Sequence, residues 1–265
     1  GGVSLRSATQ ERWTLVDPDG EAVGELDGAS VRREAHPGAI YLHQGRAFRV
    51  EKLEAGRVRL QPASPSLQTR VQAERGVSVL QSRQVRALSK GRGQAQLATV
   101  EVVDRYSSFL ETSGPGRSPV SRRITPEQEA SLVTEGLIVR VGAEVVAALE
   151  MAGIPLDSAL HAAEHLLVAF GSTVALCDRD DLEGHTITDP SSAGIVLFDR
   201  WPGGMGFAAT AFEQLDDVVA RAWEAVERCP CVGGCPSCVH AGRCLRGSEP
   251  LDKRGARFVL AALSG

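Results

Sequence analysis

The feature that most constrains this chain is a dense group of cysteines near its end. Five of the six cysteines lie within sixteen residues, from Cys229 to Cys244. Thiolates at this density either form disulfides with each other or share a metal ion. Cys235 and Cys238 form a C-x-x-C knuckle, which lets two sulfur atoms approach one ion from a tight turn. An odd number of clustered cysteines and the lack of a recognisable secretory signal both disfavour disulfides.

A structural zinc ion is therefore the predicted occupant of the cluster. Zn²⁺ takes four ligands in a tetrahedron, and four cysteines form a closed structural site. An iron–sulfur cluster, which is also held by four cysteines, is the alternative. A closed site leaves no position for a substrate, so the motif predicts architecture rather than chemistry. The preferred ligands are Cys231, Cys235, Cys238 and Cys244, with Cys229 as a fifth candidate that is spare or replaces Cys231 or Cys244.

Length and composition indicate a soluble globular protein. The 265 residues are 43% hydrophobic and 23% charged, enough for one large core or two modest ones. No apolar run approaches the roughly 20 residues that span a bilayer, so we expect no membrane partner and a cytoplasmic location. The chain begins with Gly1-Gly2 and no initiator Met, which indicates a fragment of a longer natural protein.

The net charge of −4 gives no overall attraction to nucleic acid, but the charge is unevenly distributed. No acidic residue occurs between Glu74 and Glu101, whereas several basic residues do. A basic stripe of this kind can follow a phosphate backbone. The alternative is a solvated strand face. The candidate DNA contacts, chosen by charge alone, are Arg83, Arg86, Lys90 and Arg92.

The distribution of patterns predicts an α+β fold with two dissimilar halves. Residues 1–110 are predicted to be β-rich, a small barrel or sandwich, with tight hairpins at Gln44-Gly45 and across 54–56. Residues 111–123 are predicted to be a loop or linker because they are rich in Ser, Gly, Pro and Arg. Residues 124–265 are predicted to form the α+β domain with the zinc site, packed against the β-rich half.

Within the second half, apolar periodicity predicts four helices and two buried strands. The helices are expected at 144–151, 159–170, 207–227 and 256–263, and the strands at 173–177 and 194–199.

His161, Glu164 and His165 form an H-x-x-E-H pattern on one predicted helix. Positions i and i+4 share a helix face, so both imidazoles could contact one metal ion. In the inverted zinc-peptidase pattern the Glu serves as general base. The favoured interpretation is instead a helix face whose side chains make local hydrogen bonds beside the zinc knuckle.

A glycine-rich turn connects the predicted strand 194–199 to the following helix. Gly203, Gly204 and Gly206 could cradle a phosphate at the helix N-terminus. The P-loop pattern requires a Lys followed by Ser or Thr, and neither stands in the required position. The favoured interpretation is a tight turn without a ligand.

Several strings, in their order along the chain, resemble one family. This family is mitomycin repair factor A and its relatives, which are superfamily 2 DEAD/DEAH-box DNA helicases, and the resemblance is to the zinc-binding region that follows the motor domains. It covers nearly the whole chain from about Gly24. The strings are His36-Pro-Gly-Ala-Ile-Tyr-Leu-His43, His161-Ala-Ala-Glu-His165, Ala175-Leu-Cys-Asp178, Pro202-Gly-Gly-Met-Gly206, Cys229-Pro-Cys231 through Cys238, and Glu249-Pro-Leu-Asp-Lys253.

The resemblance implies a role in ATP-dependent, 3′ to 5′ unwinding of DNA during repair. The chain contains no Walker A lysine and no D-E-x-H box, so ATP and Mg²⁺ are expected only in the motor domains of the parent protein. The fragment itself is expected to be non-catalytic, to bind one structural Zn²⁺ and to help guide single-stranded DNA. A zinc-stabilised interaction module that docks on the motor domains or on a partner nuclease is the alternative, followed by a metallopeptidase.

Overall fold

The computed structural model describes residues 11–114, 116–242, 244–246 and 249–265. Within these ranges the chain forms ten strands and six helices, so the predicted α+β class is confirmed. The strands are β1 (Arg12–Val16), β2 (Ala22–Asp27), β3 (Ile40–His43), β4 (Arg46–Glu54), β5 (Arg57–Pro62), β6 (Leu67–Ala87), β7 (Gly93–Ser113), β8 (Val120–Val141), β9 (Leu182–Ile187) and β10 (Gly194–Asp199). The helices are α1 (Gly28–Glu34), α2 (Ala143–Met151), α3 (Leu156–Ala175), α4 (Phe207–Glu213), α5 (Leu215–Arg228) and α6 (Lys253–Ser264).

The first sheet has five strands in the order β2-β1-β5-β4-β3. β1 pairs parallel to β5, and β4 pairs antiparallel to both β3 and β5. Both predicted hairpins are confirmed. Gln44 and Gly45 have φ of 48° and 78°, and Ala55 and Gly56 have φ of 43° and 79°. Two successive positive φ values are typical of the tight turn whose twist matches that of paired strands.

A small core lies against this sheet. Leu15 on β1 and Val58 on the paired strand β5 are fully buried. Phe48 on β4 is 1% exposed. Helix α1 begins after Asp27, whose carboxylate accepts hydrogen bonds from the amides of Ala29 and Ser30 at 2.9 Å each. This N-cap satisfies two of the otherwise unpaired amides at the helix start.

The second sheet has the order β6-β7-β8-β10-β9. β10 lies between β8 and β9 and is antiparallel to both. All six of its residues, Gly194–Asp199, are buried. A strand covered on both sides has no need of polar alternation, which is why its sequence is a continuous apolar run and why its predicted bounds are confirmed.

Helix α3 forms the centre of the second core. All ten residues from Ser158 to Leu167 are buried, as expected for a helix surrounded on every side rather than exposed on one face. It contacts α2, α4, α5 and α6 and the strands β9 and β10.

α3 also extends further than the sequence predicts. The expected strand at 173–177 is wrong, because the helix continues to Ala175 and ends at Leu176 in a left-handed conformation. The hydroxyl groups of Ser172 and Thr173 donate to the carbonyls of Val168 and Ala169 within the helix. Gly171 has a packing role here, since a Cβ at this position would lie 3.0 Å from Cδ2 of Leu182.

The chain divides into two compact units that differ from the predicted boundaries at 110 and 124. Among the described residues, one unit comprises those up to Gly76 together with those from Val103 to Ser131, and the other comprises Val77–Val102 and those from Leu132 onwards. The division is discontinuous because β6, β7 and β8 each contribute residues to both units. The segment predicted as a linker, 111–123, contains the end of β7 and the start of β8 and therefore lies within one unit.

No single helix in the described ranges is both long and apolar enough to cross a membrane. The pair α2 and α3 reaches that length and apolarity only when taken together, and the two helices are bent by 118° at the break between them.

The close approach of α6 to α3 gives a stability prediction. A Cβ on Gly255 would lie 2.4 Å from Cβ of Ala159. Overpacking costs about 1–3 kcal/mol, whereas alanine improves helix propensity over glycine by only about 1 kcal/mol. Gly255→Ala should therefore lower the free energy of unfolding, measured by urea denaturation. Gly76→Ala is the control, because a Cβ there meets nothing within 4 Å; equal effects of the two changes would contradict the packing argument.

Candidate metal centre

Four cysteine sulfurs meet between the end of α5 and the start of α6. The residues are Cys229, Cys231, Cys235 and Cys238, and their sulfur atoms all lie within 4.8 Å of one another. Cys229 is the C-cap of α5, so the first ligand is positioned directly by a helix end. The cluster packs against the core around α3, and the neighbouring Val239 is fully buried.

The spacing of the sulfurs fits a tetrahedral metal ion. The Cys229–Cys231, Cys229–Cys235, Cys231–Cys238 and Cys235–Cys238 Sγ distances are 3.6, 3.5, 3.5 and 3.7 Å. Four thiolates at about 2.3 Å from a central Zn²⁺ would be separated by about 3.8 Å. The donor set and the geometry therefore both fit one structural zinc ion, as predicted from the sequence.

The C-x-x-C segment is folded as a knuckle by its own backbone. The carbonyl of Cys235 accepts hydrogen bonds from the amides of Cys238 and His240, at 3.0 and 3.2 Å. Gly234 precedes this turn with φ of +127°, and a Cβ there would lie 2.6 Å from Cγ2 of Val239. Only glycine combines this conformation with this close approach.

Lys253, the first residue of α6, is the cationic neighbour of the cluster. Its Nζ donates to the carbonyls of Cys229 and Cys231, at 2.7 and 2.6 Å, and to Sγ of Cys231 at 3.2 Å. Only 6% of Lys253 is exposed. Burial lowers the pKa of Lys253, but the hydrogen bond to Cys231 and the charges of Cys229 and Cys231 outweigh burial and raise it, so the ammonium form persists.

The electrostatics of the thiols indicate that the cluster needs a cation. Burial raises the pKa of Cys231, but hydrogen bonds from Lys253 and from the other cysteines lower it to about 6. Burial raises the pKa of Cys238 to about 12, and the hydrogen bonds with Cys231 and Cys235 act in the same direction. Lys253 thus stabilises the thiolate of Cys231, whereas Cys238 favours its protonated form, and a bound metal ion would displace that proton.

The fifth candidate ligand, Cys244, lies in a different group. Its Sγ is 3.1 Å from Nε2 of His161, and it forms a second cluster with His161 and His165. The structure therefore brings together Cys231, Cys235 and Cys238 as expected, and places Cys229 rather than Cys244 beside them. Sequence spacing could not decide whether Cys229 or Cys244 is the fourth ligand. Both cysteines are close enough along the chain to Cys231, Cys235 and Cys238 to reach the same metal ion.

The helix face that carries the H-x-x-E-H pattern is buried. The rings of His161 and His165 are 4.6 Å apart, as the i, i+4 spacing predicts. Glu164 lies instead towards β9, where a Cβ on Gly184 would be 2.5 Å from its Cγ. The glutamate that a peptidase would use as general base is therefore packed against a strand.

The glycine-rich turn before α4 holds an internal carboxylate. Asp199 is fully buried and accepts hydrogen bonds from the amides of Met205, Phe207 and Ala208, at 2.5, 3.2 and 2.7 Å. These amides at the start of the helix would be the donors to a bound phosphate. Because Asp199 occupies them, the turn is structural, in agreement with the favoured interpretation.

The four basic residues singled out by charge fall into two pairs. Arg83 donates to the carboxylate of Glu135 and to the hydroxyl of Thr99. Arg86 donates to Asp216 at 3.0 Å and to the carbonyl of Phe212 at 2.8 Å, and it lies over the Phe212 ring. Both arginines thus hold parts of the fold together.

Lys90 and Arg92 lie on the exposed turn between β6 and β7. Over the described ranges, neither is paired with a carboxylate side chain. Their turn rests on the end of α6: the amide of Arg92 donates to the carbonyl of Ala262 at 2.7 Å, and a Cβ on Gly91 would lie 2.0 Å from the carbonyl oxygen of Leu263.

This fold and this cluster define a zinc-binding domain, and comparison with known proteins specifies its kind. Residues 163–239 match the model of the MrfA Zn-binding domain. The matched segment runs from α3 through the last of the four clustered cysteines. This segment is therefore similar to the MrfA Zn-binding domain, and the predicted resemblance to the mitomycin repair factor A family is confirmed.

Two curated relatives are helicases by name. The uncharacterized ATP-dependent helicase YprA of Bacillus subtilis is 26% identical over 253 residues, which cover 89% of this chain and 32% of that protein. The ATP-dependent helicase HRQ1 of Saccharomyces cerevisiae is 21% identical over 290 residues, covering 99% of this chain and 26% of that protein. The chain spans about a third or less of these relatives.

Comparison with solved structures also finds similarity to MrfA. A crystal structure of the DUF1998 helicase MrfA bound to DNA matches with a TM-score of 0.63 and 25% identity, covering 98% of this chain and 35% of that one. A further crystal structure of the DUF1998 helicase MrfA matches with a TM-score of 0.57 and 26% identity, over 89% of this chain and 34% of that one.

Sequence reasoning missed the role of Lys253. The residue stands in the string Glu249-Pro-Leu-Asp-Lys253, which contributed to the family resemblance but gave no hint of a contact with the cysteines. A lysine at the start of a helix is usually solvated. Its 22-residue separation from Cys231 leaves no periodic signal that could link the two.

The ligand set predicts which single cysteine changes remove the metal. Cys229→Ser should abolish chelator-resistant binding of zinc at the tetracysteine site and lower the melting temperature, because structural zinc can contribute on the order of 10 kcal/mol to folding. Zinc per chain, measured by plasma mass spectrometry, is the readout. Cys177→Ser is the control, since Cys177 lies outside both cysteine-containing clusters. Unchanged zinc in Cys229→Ser would exclude Cys229 as a ligand.

The contacts of Lys253 predict a separate effect on affinity. Lys253→Met keeps most of the side-chain volume but removes the cation beside Cys231. Loss of a group that supports metal ligands typically weakens metal binding about 10–100-fold, so the zinc dissociation constant, measured by competition with a chromophoric chelator, should rise by that factor. Arg254→Met, at the exposed next position of α6, should leave the constant unchanged.

Proposed function

We propose that this chain is a zinc-stabilised, non-catalytic module of an ATP-dependent 3′ to 5′ DNA helicase that acts in DNA repair, and that it engages single-stranded DNA. The observation that carries the proposal is the tetracysteine cluster, which lies at the end of the segment matching the MrfA Zn-binding domain. The names of the relatives support the helicase context, since both YprA and HRQ1 are described as ATP-dependent helicases.

A non-catalytic role fits the chemistry of the cluster. Four thiolates close the coordination sphere of a zinc ion, so the metal has no free position for water or substrate. The sequence lacks a Walker A lysine and a D-E-x-H box, so ATP hydrolysis is assigned to the motor domains of the parent protein. A cytoplasmic location is part of this proposal, because the clustered cysteines must stay reduced to bind zinc.

Engagement of DNA is supported by a structural relative and by surface charge. The MrfA crystal structure that aligns with 98% of this chain is that of the helicase bound to DNA. Lys90 and Arg92 are the exposed members of the predicted basic stripe that make no ion pair within the described ranges. Because the turn that carries them is anchored on α6, we infer that they face a phosphate backbone from a fixed position.

A protein-docking role is the second candidate, and it rests on a different observation. The edge strand β6 exposes Val79, Leu80 and Val85, with 44%, 54% and 53% of each residue accessible. Apolar side chains on an unpaired edge strand are typical of a surface that is covered by another protein. The motor domains of the same parent chain, or a partner nuclease, would be the proteins covering it.

The DNA proposal predicts a salt-dependent affinity for a labelled oligodeoxythymidine, measured by fluorescence anisotropy. Each phosphate contact to a single strand contributes about 0.7 to the slope of log K against log salt. Replacing both Lys90 and Arg92 by Ala should therefore weaken binding at low salt and reduce the magnitude of the slope by about 1.4.

Arg221→Ala combined with Arg228→Ala is the matched control. It removes the same number of positive charges, but both arginines are paired with carboxylates one turn earlier on α5. Absence of binding by the wild-type chain at low salt would refute DNA engagement and favour the docking role. Equal losses in the two double variants would refute the assignment to Lys90 and Arg92.

A further inference from the structure

A second cluster of metal-ligand side chains lies beside the tetracysteine group. It consists of His161, His165 and Cys244, and one ligand atom from each of these residues lies within 4.8 Å of the other two. His161 is fully buried, His165 is 7% exposed and Cys244 is half-buried. The two histidines come from α3, and the cysteine comes from the segment between the knuckle and α6.

Backbone carbonyls fix the tautomer of both imidazoles. Nδ1 of His161 is 3.0 Å from the carbonyl of Pro250, and Nδ1 of His165 is 2.6 Å from the carbonyl of Val239. A carbonyl oxygen can only accept, so each Nδ1 carries the proton and donates it. When a ring in this arrangement is neutral, Nε2 is its unprotonated atom, and Nε2 of His161 lies 3.1 Å from Sγ of Cys244. Histidines that bind metal show the same arrangement, with the second ring nitrogen donating to a backbone carbonyl or a carboxylate.

Among the described residues, hydrogen bonding leaves one ring nitrogen of this cluster, Nε2 of His165, without a partner. Nε2 of His161 lies 3.1 Å from Sγ of Cys244 and can accept the single thiol proton. Nε2 of His165 is buried and has no hydrogen-bond partner among the described residues. A buried lone pair without a donor costs free energy, and a metal ion at the centre of the three atoms would satisfy all of them at once.

We propose that His161, His165 and Cys244 bind a second zinc ion. Two imidazoles and one thiolate are a ligand set that suits Zn²⁺, and three protein ligands leave a fourth position for water or another group. Binding releases the thiol proton of Cys244 to solvent and changes no oxidation state. The ion clamps the segment after the knuckle onto α3, at a point where His165 also holds the carbonyl of Val239, the residue next to Cys238.

The surroundings of the cluster favour this clamp over a peptidase centre. Arg246 donates to the carboxylate of Asp157 at 2.8 Å and to the hydroxyl of Thr186 at 3.3 Å, which ties the same segment to α3 and β9. The guanidinium charge of Arg246 also interacts with Cys244 and Glu164. Glu164 packs against Gly184 rather than pointing into the cluster.

Zinc content of the full 265-residue chain, purified without chelator, tests the proposal. We expect two zinc ions per chain in the wild type and one in Cys244→Ser. His165→Asn should also retain one, and it is chosen because the asparagine amide can still donate to the Val239 carbonyl while the ε nitrogen is lost. Cys177→Ser is the control and should retain two. One zinc per chain, unchanged by Cys244→Ser and His165→Asn, would overturn the proposal.

A measurement on the unaltered chain keeps the test valid if a variant does not fold. Zinc X-ray absorption should show a mixed shell of sulfur and imidazole nitrogen, because the tetracysteine site supplies sulfur alone. A sulfur-only shell would overturn the proposal and reduce the cluster to a hydrogen bond between Cys244 and His161. Alkylation of Cys244, followed by mass spectrometry, should rise when zinc is removed; equal alkylation with and without zinc would contradict the proposed ligand.

Discussion

The mutual repulsion of four closely spaced thiolates is the constraint on which the zinc-bearing unit depends. Sulfur atoms 3.5–3.7 Å apart cannot all be ionised without a cation between them. Lys253 contributes one positive charge, but a single ammonium group cannot offset four negative ones. With a divalent ion at the centre, the four thiolates, the ion and the ammonium group of Lys253 together carry a net charge of −1. The same ion ties the end of α5 to the C-x-x-C knuckle, and the hydrogen bonds of Lys253 connect this group to the start of α6.

Helix α3 transmits this constraint to the core. Its residues contact α6 at Gly255 and the segment before α6 at Asp252, whose amide donates to the carbonyl of Ser158. One turn further on, His161 and His165 reach the loop that follows the knuckle. A helix buried over ten successive residues can make these contacts only if small and polar side chains replace bulky ones where other segments approach. The alanines and histidines of α3 therefore reflect packing against the metal-binding loop.

Local patterns in the sequence predicted the elements whose conformation is determined by residues adjacent in the chain. The hairpin turns at Gln44-Gly45 and Ala55-Gly56 followed from their short-range chemistry, and β10 followed from its continuous apolar run. The predicted strand at 173–177 is wrong because α3 continues through Gly171, whose lack of a side chain leaves space for Leu182. β8 gives no periodic signal, because its start is mostly exposed and its residues 134–139 are all buried. The partner of Cys244 was not predictable either, because it depends on where α3 places His161.

The distribution of paired and unpaired charges restricts how such a module could meet DNA. Arg83 and Arg86 lie in the most basic stretch of the sequence, yet their guanidinium groups already bind Glu135 and Asp216. Breaking a partly buried ion pair to bind a phosphate exchanges one charged contact for another and gains little. Lys90 and Arg92 could bind a phosphate without first breaking an ion pair within the described residues. The turn that carries them is held against α6 by backbone contacts. Because α6 begins with Lys253 at the tetracysteine cluster, an intact metal centre is expected to keep this turn in position.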